Sequence, residues 1–221
     1  MRHEIVILRP LPLLAALALA ACGGSSSDAD DLPDQGAATE ASAGAWTPSS
    51  AEIERATEIG REAAGRLAAT LMQQLSTEMA EGGPEAAIEF CSDEAMDLTH
   101  GVNTALGDLD VKRTSTRVRN PENAPDALEQ AALSHFESEI EGGSLPENWI
   151  QTAGDDELRY YQPLIVNEMC TQCHGPADAL QPAVRTRLET LYPQDRAIGY
   201  APGDFRGLIR VAIPREALDE G

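Results

Sequence analysis

The chain has 221 residues and is strongly acidic, with 37 Asp and Glu against 16 Lys and Arg and a formal net charge of −21. This charge argues against binding to nucleic acid and to anionic lipid headgroups, because both carry the same sign. It favours a basic protein as a partner. Aromatic residues make up only 4% of the chain, so the core must draw on Leu, Ile and Ala and on any apolar cofactor buried among them.

The N-terminus has the features of an export signal. Two arginines flank a short n-region, and the apolar run from Leu11 to Ala20 is too short to span a bilayer. The run leads through small residues into Cys22, which resembles the bacterial lipobox, whose cysteine is lipidated after residues 1–21 are removed. The alternative is an ordinary secretory signal. We expect a lipoprotein on the periplasmic face of a membrane, the outer one in a Gram-negative cell, since Gly23 follows the cysteine.

The next segment, residues 22–48, is rich in Gly, Ser, Ala, Asp and Pro and has scarcely an apolar anchor. Such a composition predicts a disordered tether. The remaining residues, 49–221, have the length of one domain.

This domain is predicted to begin with helices. A capping box at Ser49–Glu52 opens the first, which carries apolar residues at helical spacing until Gly82-Gly83 stops it. The second runs from Pro84 to about Leu98, with Cys91 on its apolar face. A third spans residues 126–141. We expect its buried face to hold Leu128, Ala132, Phe136 and Ile140.

Strand-like runs then dominate the chain. They lie at residues 111–116, 148–153, 158–166 and 205–213, with a short helix at 182–191. Helices first and antiparallel strands afterwards predict an α+β fold.

The most specific local motif is Cys170-Thr171-Gln172-Cys173-His174. This is C-x-x-C-H, the attachment signature of a c-type haem, in which both thiols add to the vinyl groups and the histidine becomes the proximal iron ligand. A zinc site would need a second pair of ligands, and a thioredoxin-like redox pair typically lacks the trailing histidine. We therefore predict one covalent haem c.

Cys91 is left as an unexplained thiol in an exported protein. It is either a small hydrophobe in a helix or the second axial ligand of the iron. The sequence offers other candidates for that position, namely His100, His135, Met96 and Met169.

The haem motif lies within a wider pattern. Its other members are the stretch TSTRVRNPENAPD at 114–126, YQPLI at 161–165, LYPQD at 191–195, IGY at 198–200 and GDFRG at 203–207. Together they resemble a family of bacterial single-haem c-type domains of unassigned function. The resemblance implies a PAS-like antiparallel sheet flanked by long helices around the haem. It also implies a cysteine as the second axial ligand, and the matching position is Cys91.

Two arginines of the RNPxN region, Arg117 and Arg119, are candidates to pair with the haem propionates, because a guanidinium binds a carboxylate bidentately. In so acidic a chain both could equally be bound to Asp or Glu. The three tyrosines Tyr160, Tyr161 and Tyr200 could line the pocket or belong to the ordinary core.

These features predict a lipid-anchored cytochrome with a redox function, electron transfer, and no enzymatic activity. The alternative is a haem-based sensor of redox state or of a diatomic gas that acts through a partner protein, since the chain has no room for an output domain. We expect a redox or signalling partner, with a homodimer left open.

Overall fold

A computed structural model describes residues 46–219. The predicted signal peptide, Cys22 and most of the predicted tether lie outside these residues. No helix in the part that the structure describes is long and apolar enough to cross a membrane.

The longest element is helix α1, Ser50–Asp93. It opens with the predicted capping box, in which the Ser49 side chain accepts from the backbone N–H of Glu52 and the Glu52 carboxylate accepts from that of Ser49. The predicted break is also present, because Gly83 has φ 70° and ψ −165° and interrupts the helical backbone. A φ of this sign is accessible to glycine at little cost.

Helix α2, Ala95–Leu106, differs from prediction. The helix expected to end near Leu98 instead stops at Asp93, where Glu94 leaves the helical region at φ −121°. The chain then resumes as α2 and continues to Gly107, whose φ of 70° ends it. Hydrophobic periodicity alone did not show that one helix ends at Asp93 and another begins at Ala95, because both segments keep apolar residues three and four apart.

Four antiparallel strands form one sheet in the order β1-β4-β3-β2. Strand β1 is Asp110–Thr114, β2 is Trp149–Ala153, β3 is Glu157–Ile165 and β4 is Phe205–Pro214. The α+β prediction is confirmed, and each strand lies within two residues of its predicted bounds. The short helices α4, Thr171–His174, and α5, Pro182–Leu191, complete the regular structure with 3-10 turns at Pro121–Asn123 and Arg215–Leu218.

Helices cover both faces of the sheet. On one face, small and aliphatic side chains of α1 pack on Leu158 and Tyr160 of β3 and on alternate residues of β4. On the other face, helix α3, Ala127–Glu141, packs on Tyr161 and Leu208. The alternation of Tyr160 and Tyr161 between the two cores is the expected period of a strand buried on both sides. Both tyrosines are therefore ordinary core residues.

Helix α3 presents a different face from the predicted one. Ala132 and Phe136 are buried as expected, but Ile140 is exposed and Leu128 only half-buried, while Glu129 and Leu133 are fully enclosed. The cause is electrostatic. Glu129 ion-pairs with Lys112 and Arg210 of the sheet, so its carboxylate lies on the buried face of the helix.

A tight contact between α1 and β3 gives a first testable prediction. Gly60 lies against Tyr160 so closely that an added Cβ would collide with Cβ and Cγ of the tyrosine. Gly60→Ala should therefore lower the free energy of unfolding by about 1–3 kcal/mol in denaturant titrations, since overpacking displaces the core. Gly65→Ala is the matched control in the same helix. Nothing lies within 4 Å of its added Cβ, so it should gain up to about 1 kcal/mol. Equal effects at both positions would contradict this packing.

Candidate functional site

A cavity of about 460 Å³ lies between α1, the sheet and the loop that carries the C-x-x-C-H motif. Its volume is typical of cofactor sites. Five of the predicted site residues line it together, Cys91, Arg119, Cys170, Cys173 and His174. Two of its other lining residues, Met72 and Ile165, are each 39% exposed. They mark the side on which the cavity opens to solvent.

The motif forms one helical turn, α4, from which Cys173 and His174 line the cavity. Cys170 precedes the turn, and its thiol donates to Oδ1 of Asn167 at 3.2 Å. Burial raises the pKa of Cys173 to about 11, which keeps its sulfur protonated at neutral pH. None of the three cysteines between residues 46 and 219 forms a disulfide. Both motif thiols are therefore available for bonding to a group in the cavity.

His174 is held in one orientation by its backbone neighbour. Its Nδ1 lies 2.7 Å from the carbonyl oxygen of Ala197, and a carbonyl only accepts, so Nδ1 carries the proton. Burial, reinforced by the charges of Arg119 and Arg206, lowers the pKa of the imidazole to about 3. The ring is thus neutral, and Nε2 keeps a lone pair that can bind a metal.

The IGY stretch at 198–200, which belongs to the wider sequence pattern, also contacts the C-x-x-C-H motif in the structure. Behind His174, Tyr200 N–H donates to the carbonyl of His174 at 2.9 Å and Gly199 N–H to that of Gly175 at 2.8 Å. The Tyr200 ring meets the imidazole edge-on, with centroids 6.4 Å apart. The IGY stretch therefore supports the histidine from outside the cavity.

Arg119 supports the same turn and is not a free cation. Its Nε pairs with Asp195 at 3.0 Å, and its Nη2 donates to the carbonyls of Cys173 at 2.6 Å and Ala197 at 3.3 Å. Asp195 in turn accepts from Ala197 N–H at 2.7 Å. Of the two alternatives open for Arg119, pairing with a carboxylate of the chain is the one found. Its guanidinium fixes the carbonyl that accepts from the His174 ring.

Arg117 does not lie where a cavity ligand would meet it. It is absent from the described residues that line the cavity, and its guanidinium lies over the Tyr200 ring at 4.0 Å. Its Nε donates to the carbonyl of Arg196 at 3.2 Å. The assignment of Arg117 to a propionate is thus not supported by its position.

Cys91 faces the cavity from the part of α1 that follows the Gly83 break. Burial raises the pKa of its thiol, and the nearby Arg113 and Arg119 charges oppose this rise. Three of its rivals point elsewhere. His100 is exposed, His135 stacks on Trp149 at 4.5 Å, and the sulfur of Met96 accepts from Arg113 at 3.9 Å.

Met169 is the remaining rival, since it also lines the cavity. It directly precedes Cys170 and so belongs to the same loop as His174. Cys91 comes from a different element, the helix α1.

Sequence reasoning missed two arginines, Arg113 and Arg206, that line the cavity. A signal for each was present. Arg113 is two residues from the buried Val111 in a strand, so both face the same side of the sheet. Arg206 lies within the GDFRG stretch already singled out.

The donors in the cavity suit an iron held by a porphyrin. A neutral imidazole nitrogen and a cysteine sulfur are both known axial ligands, and two further thiols match the covalent attachment points of haem c. Apolar walls from α1 match an apolar macrocycle. Within residues 46–219, no group of three or more His, Cys, Asp or Glu side chains is placed to hold a metal ion by itself.

Comparison with known proteins gives a structural relative and a family. The fold matches a crystal structure described as that of the cyanobacterial heme-protein Tll0287, with 24% identity and a TM-score of 0.54, covering 76% of this chain and 98% of the other. No curated protein matches the chain. The model of the Tll0287-like family matches residues 48–214, and the chain therefore belongs to the Tll0287-like family.

Proposed function

We propose that the protein binds one haem c, with thioether bonds from Cys170 and Cys173 and with His174 as proximal ligand. The observation that carries this proposal is the convergence of two free thiols and an unprotonated Nε2 on one cavity. In each attachment the sulfur bonds to one vinyl carbon and its hydrogen to the other, so no oxidant is consumed. The solved relative is described as a heme-protein, which agrees with this assignment.

Cys91 is proposed as the second axial ligand. It reaches the cavity from α1, whereas the proximal histidine is held by the α4 loop, so the two donors belong to separate elements. The positive charge of Arg113 near the sulfur favours its anionic form.

The proposed role is electron transfer. Bound haem supplies a one-electron iron couple, and an axial thiolate favours its oxidised state. The protein contributes a rigid frame, because the proximal loop is tied by backbone hydrogen bonds to the 195–200 segment. It also leaves Met72 and Ile165 partly exposed at the cavity, where a partner could approach closely. The acidic surface favours a basic redox partner.

A sensor acting through a partner protein is the second candidate, and one observation favours it. Cys91 lies on a short helical segment bounded by non-helical backbone at Gly83 and Glu94. Such a segment could move relative to the sheet and form a two-state element. The reduced protein should be exposed to CO and its absorption spectrum recorded. A ready shift would favour sensing, while an unchanged spectrum would favour electron transfer.

The covalent attachment has a direct test. Cys170→Ala with Cys173→Ala should abolish haem staining of the protein band on a denaturing gel, because no thioether bond can form. Cys91→Ala is the matched control, since it removes a cavity thiol outside the motif and should keep the stain. Haem that stays on the double variant, or is missing from the wild type, would refute the proposed haem c.

We also propose export and lipidation at Cys22, which the small residues before it support. Cys22→Ala should move the protein from the membrane fraction to the soluble fraction, because the acyl chains would be lost. Ser25→Ala, three residues away, should leave it in the membrane. Persistence of the Cys22 variant in washed membranes would exclude a lipid anchor.

A further inference from the structure

The cavity has an unusual charge for this chain. Although acidic residues outnumber basic ones by more than two to one, no Asp or Glu is found among the described residues that line the cavity. Three arginines do line it, Arg113, Arg119 and Arg206. A site that excludes carboxylates of the chain yet gathers guanidinium groups is suited to an anionic ligand.

Arg119 is already neutralised by its pair with Asp195. The other two cations are not. Among residues 46–219, no carboxylate lies within ion-pair distance of Arg113 or Arg206. Elsewhere in the sheet, Lys112 and Arg210 have carboxylate partners.

The Arg113 side chain is incompletely satisfied. Among residues 46–219, its buried Nε has no hydrogen-bond partner, and Nη2 donates to the sulfur of Met96, a weak acceptor, at 3.9 Å. Burial lowers the pKa of this guanidinium, as expected for a charge removed from water without an ionic partner. Leaving a buried charged donor unpaired is costly, which indicates that a further acceptor belongs at this position.

Arg206 lines the same cavity as Arg113. Its Nη1 donates to Oγ of Ser115 at 2.8 Å, and the guanidinium is 5.4 Å from the Tyr200 ring. Ser115 follows Arg113 by two residues and also lines the cavity, so the hydroxyl that Arg206 contacts lies near the Arg113 position. The Tyr200 side chain also hydrogen-bonds Arg206, and the charge of Asp195 acts on it from beyond ion-pair distance. A guanidinium has five N–H groups, so Arg206 keeps donors that these contacts do not use.

Resting on the proposed haem c, we propose that Arg113 and Arg206 bind the two propionate carboxylates of the haem. Two guanidinium groups that no carboxylate of the described residues pairs with then meet two carboxylates. Each guanidinium can present paired N–H groups to a carboxylate, the geometry that makes such pairs strong. Arg117, stacked outside the cavity, takes no part, and Arg119 positions the proximal loop.

The test uses the haem-loaded protein and the variants Arg113→Gln and Arg206→Gln. Each variant should shift the propionate bands in the resonance Raman spectrum. Each should also lower the reduction midpoint, because losing a cation disfavours the electron-rich state. We expect at least a tenfold fall in the ratio of reduced to oxidised protein at fixed ambient potential, which corresponds to about 59 mV. Arg185→Gln, an exposed arginine of α5, should change neither readout.

Arg113→Lys and Arg206→Lys keep the charge if a glutamine variant fails to fold. They should bring the reduction midpoint most of the way back to the wild-type value. They should still shift the propionate bands, because lysine cannot bind bidentately. Unchanged propionate bands in the variants would overturn the inference while covalent haem on a gel still upheld the proposed function. Equal band shifts in Arg117→Gln would overturn it as well. A changed axial-ligand spectrum with unchanged propionate bands in Arg113→Gln would assign that guanidinium to Cys91 instead.

Discussion

Replacing Glu129 by alanine is expected to lower the free energy of unfolding by about 3–5 kcal/mol. The Glu129 side chain is 0% exposed, and it pairs with Lys112 Nζ at 2.8 Å and with Arg210 Nε at 3.1 Å. It also accepts from the backbone N–H of Asp126 at 3.0 Å, which completes the capping box of α3. The substitution therefore removes one of the two capping-box hydrogen bonds and takes from Lys112 and Arg210 their shared buried anion, although Arg210 keeps its pair with Asp110.

Denaturant unfolding of the haem-loaded protein measures this loss. Glu137→Ala is the matched control, because Glu137 lies on the exposed side of the same helix and should change stability by less than about 0.5 kcal/mol. Glu129→Gln keeps the side-chain size and removes only the charge, so it separates the ionic contribution from packing. A loss below about 1 kcal/mol in Glu129→Ala would show that water or other acceptors compensate the cations.

The same carboxylate shows what the sequence could not predict about the fold. A glutamate in the first turn of a helix is typical of a solvent-exposed cap, and the Asp126–Glu129 spacing fits that interpretation. Its burial depends on Lys112 and Arg210, which are 17 and 81 residues away along the chain. Local patterns do not encode such pairings. The capping box of α1, the break at Gly83 and the strand positions were predictable because neighbouring residues determine them.

In the candidate site, too, local features were predictable from the sequence and long-range contacts were not. The C-x-x-C-H turn is a local motif, and the inward face of Cys91 follows from helical spacing, so both were accessible to sequence analysis. The partners of the arginines were not, because an arginine within a motif can face a ligand, a carboxylate or an aromatic ring. Arg119 meets Asp195, 76 residues later, and Arg117 stacks on Tyr200. Only tertiary structure separates these cases from Arg113 and Arg206.

Cys91→Ala should produce the largest change in the cofactor's properties while leaving covalent haem in place. An anionic sulfur donor stabilises ferric iron, so its loss should raise the midpoint potential by on the order of 0.1 V or more and alter the ferric absorption spectrum. The vacated position should also let CO bind the reduced protein more readily than in the wild type. Spectroscopic redox titration with and without CO measures the midpoint potential, the ferric spectrum and the binding of CO.

The contrast with Met169 makes this experiment decisive for the axial ligand. Both side chains line the cavity, but Met169 belongs to the proximal loop and Cys91 to helix α1. Met169→Leu should therefore keep the ferric spectrum of the wild type, since leucine conserves the volume and removes only the sulfur. A spectrum that changes in Met169→Leu and not in Cys91→Ala would transfer the ligand role to the methionine. The helical segment that carries Cys91 would then have no bond to the iron. The proposal of a redox-coupled sensor would lose its structural basis.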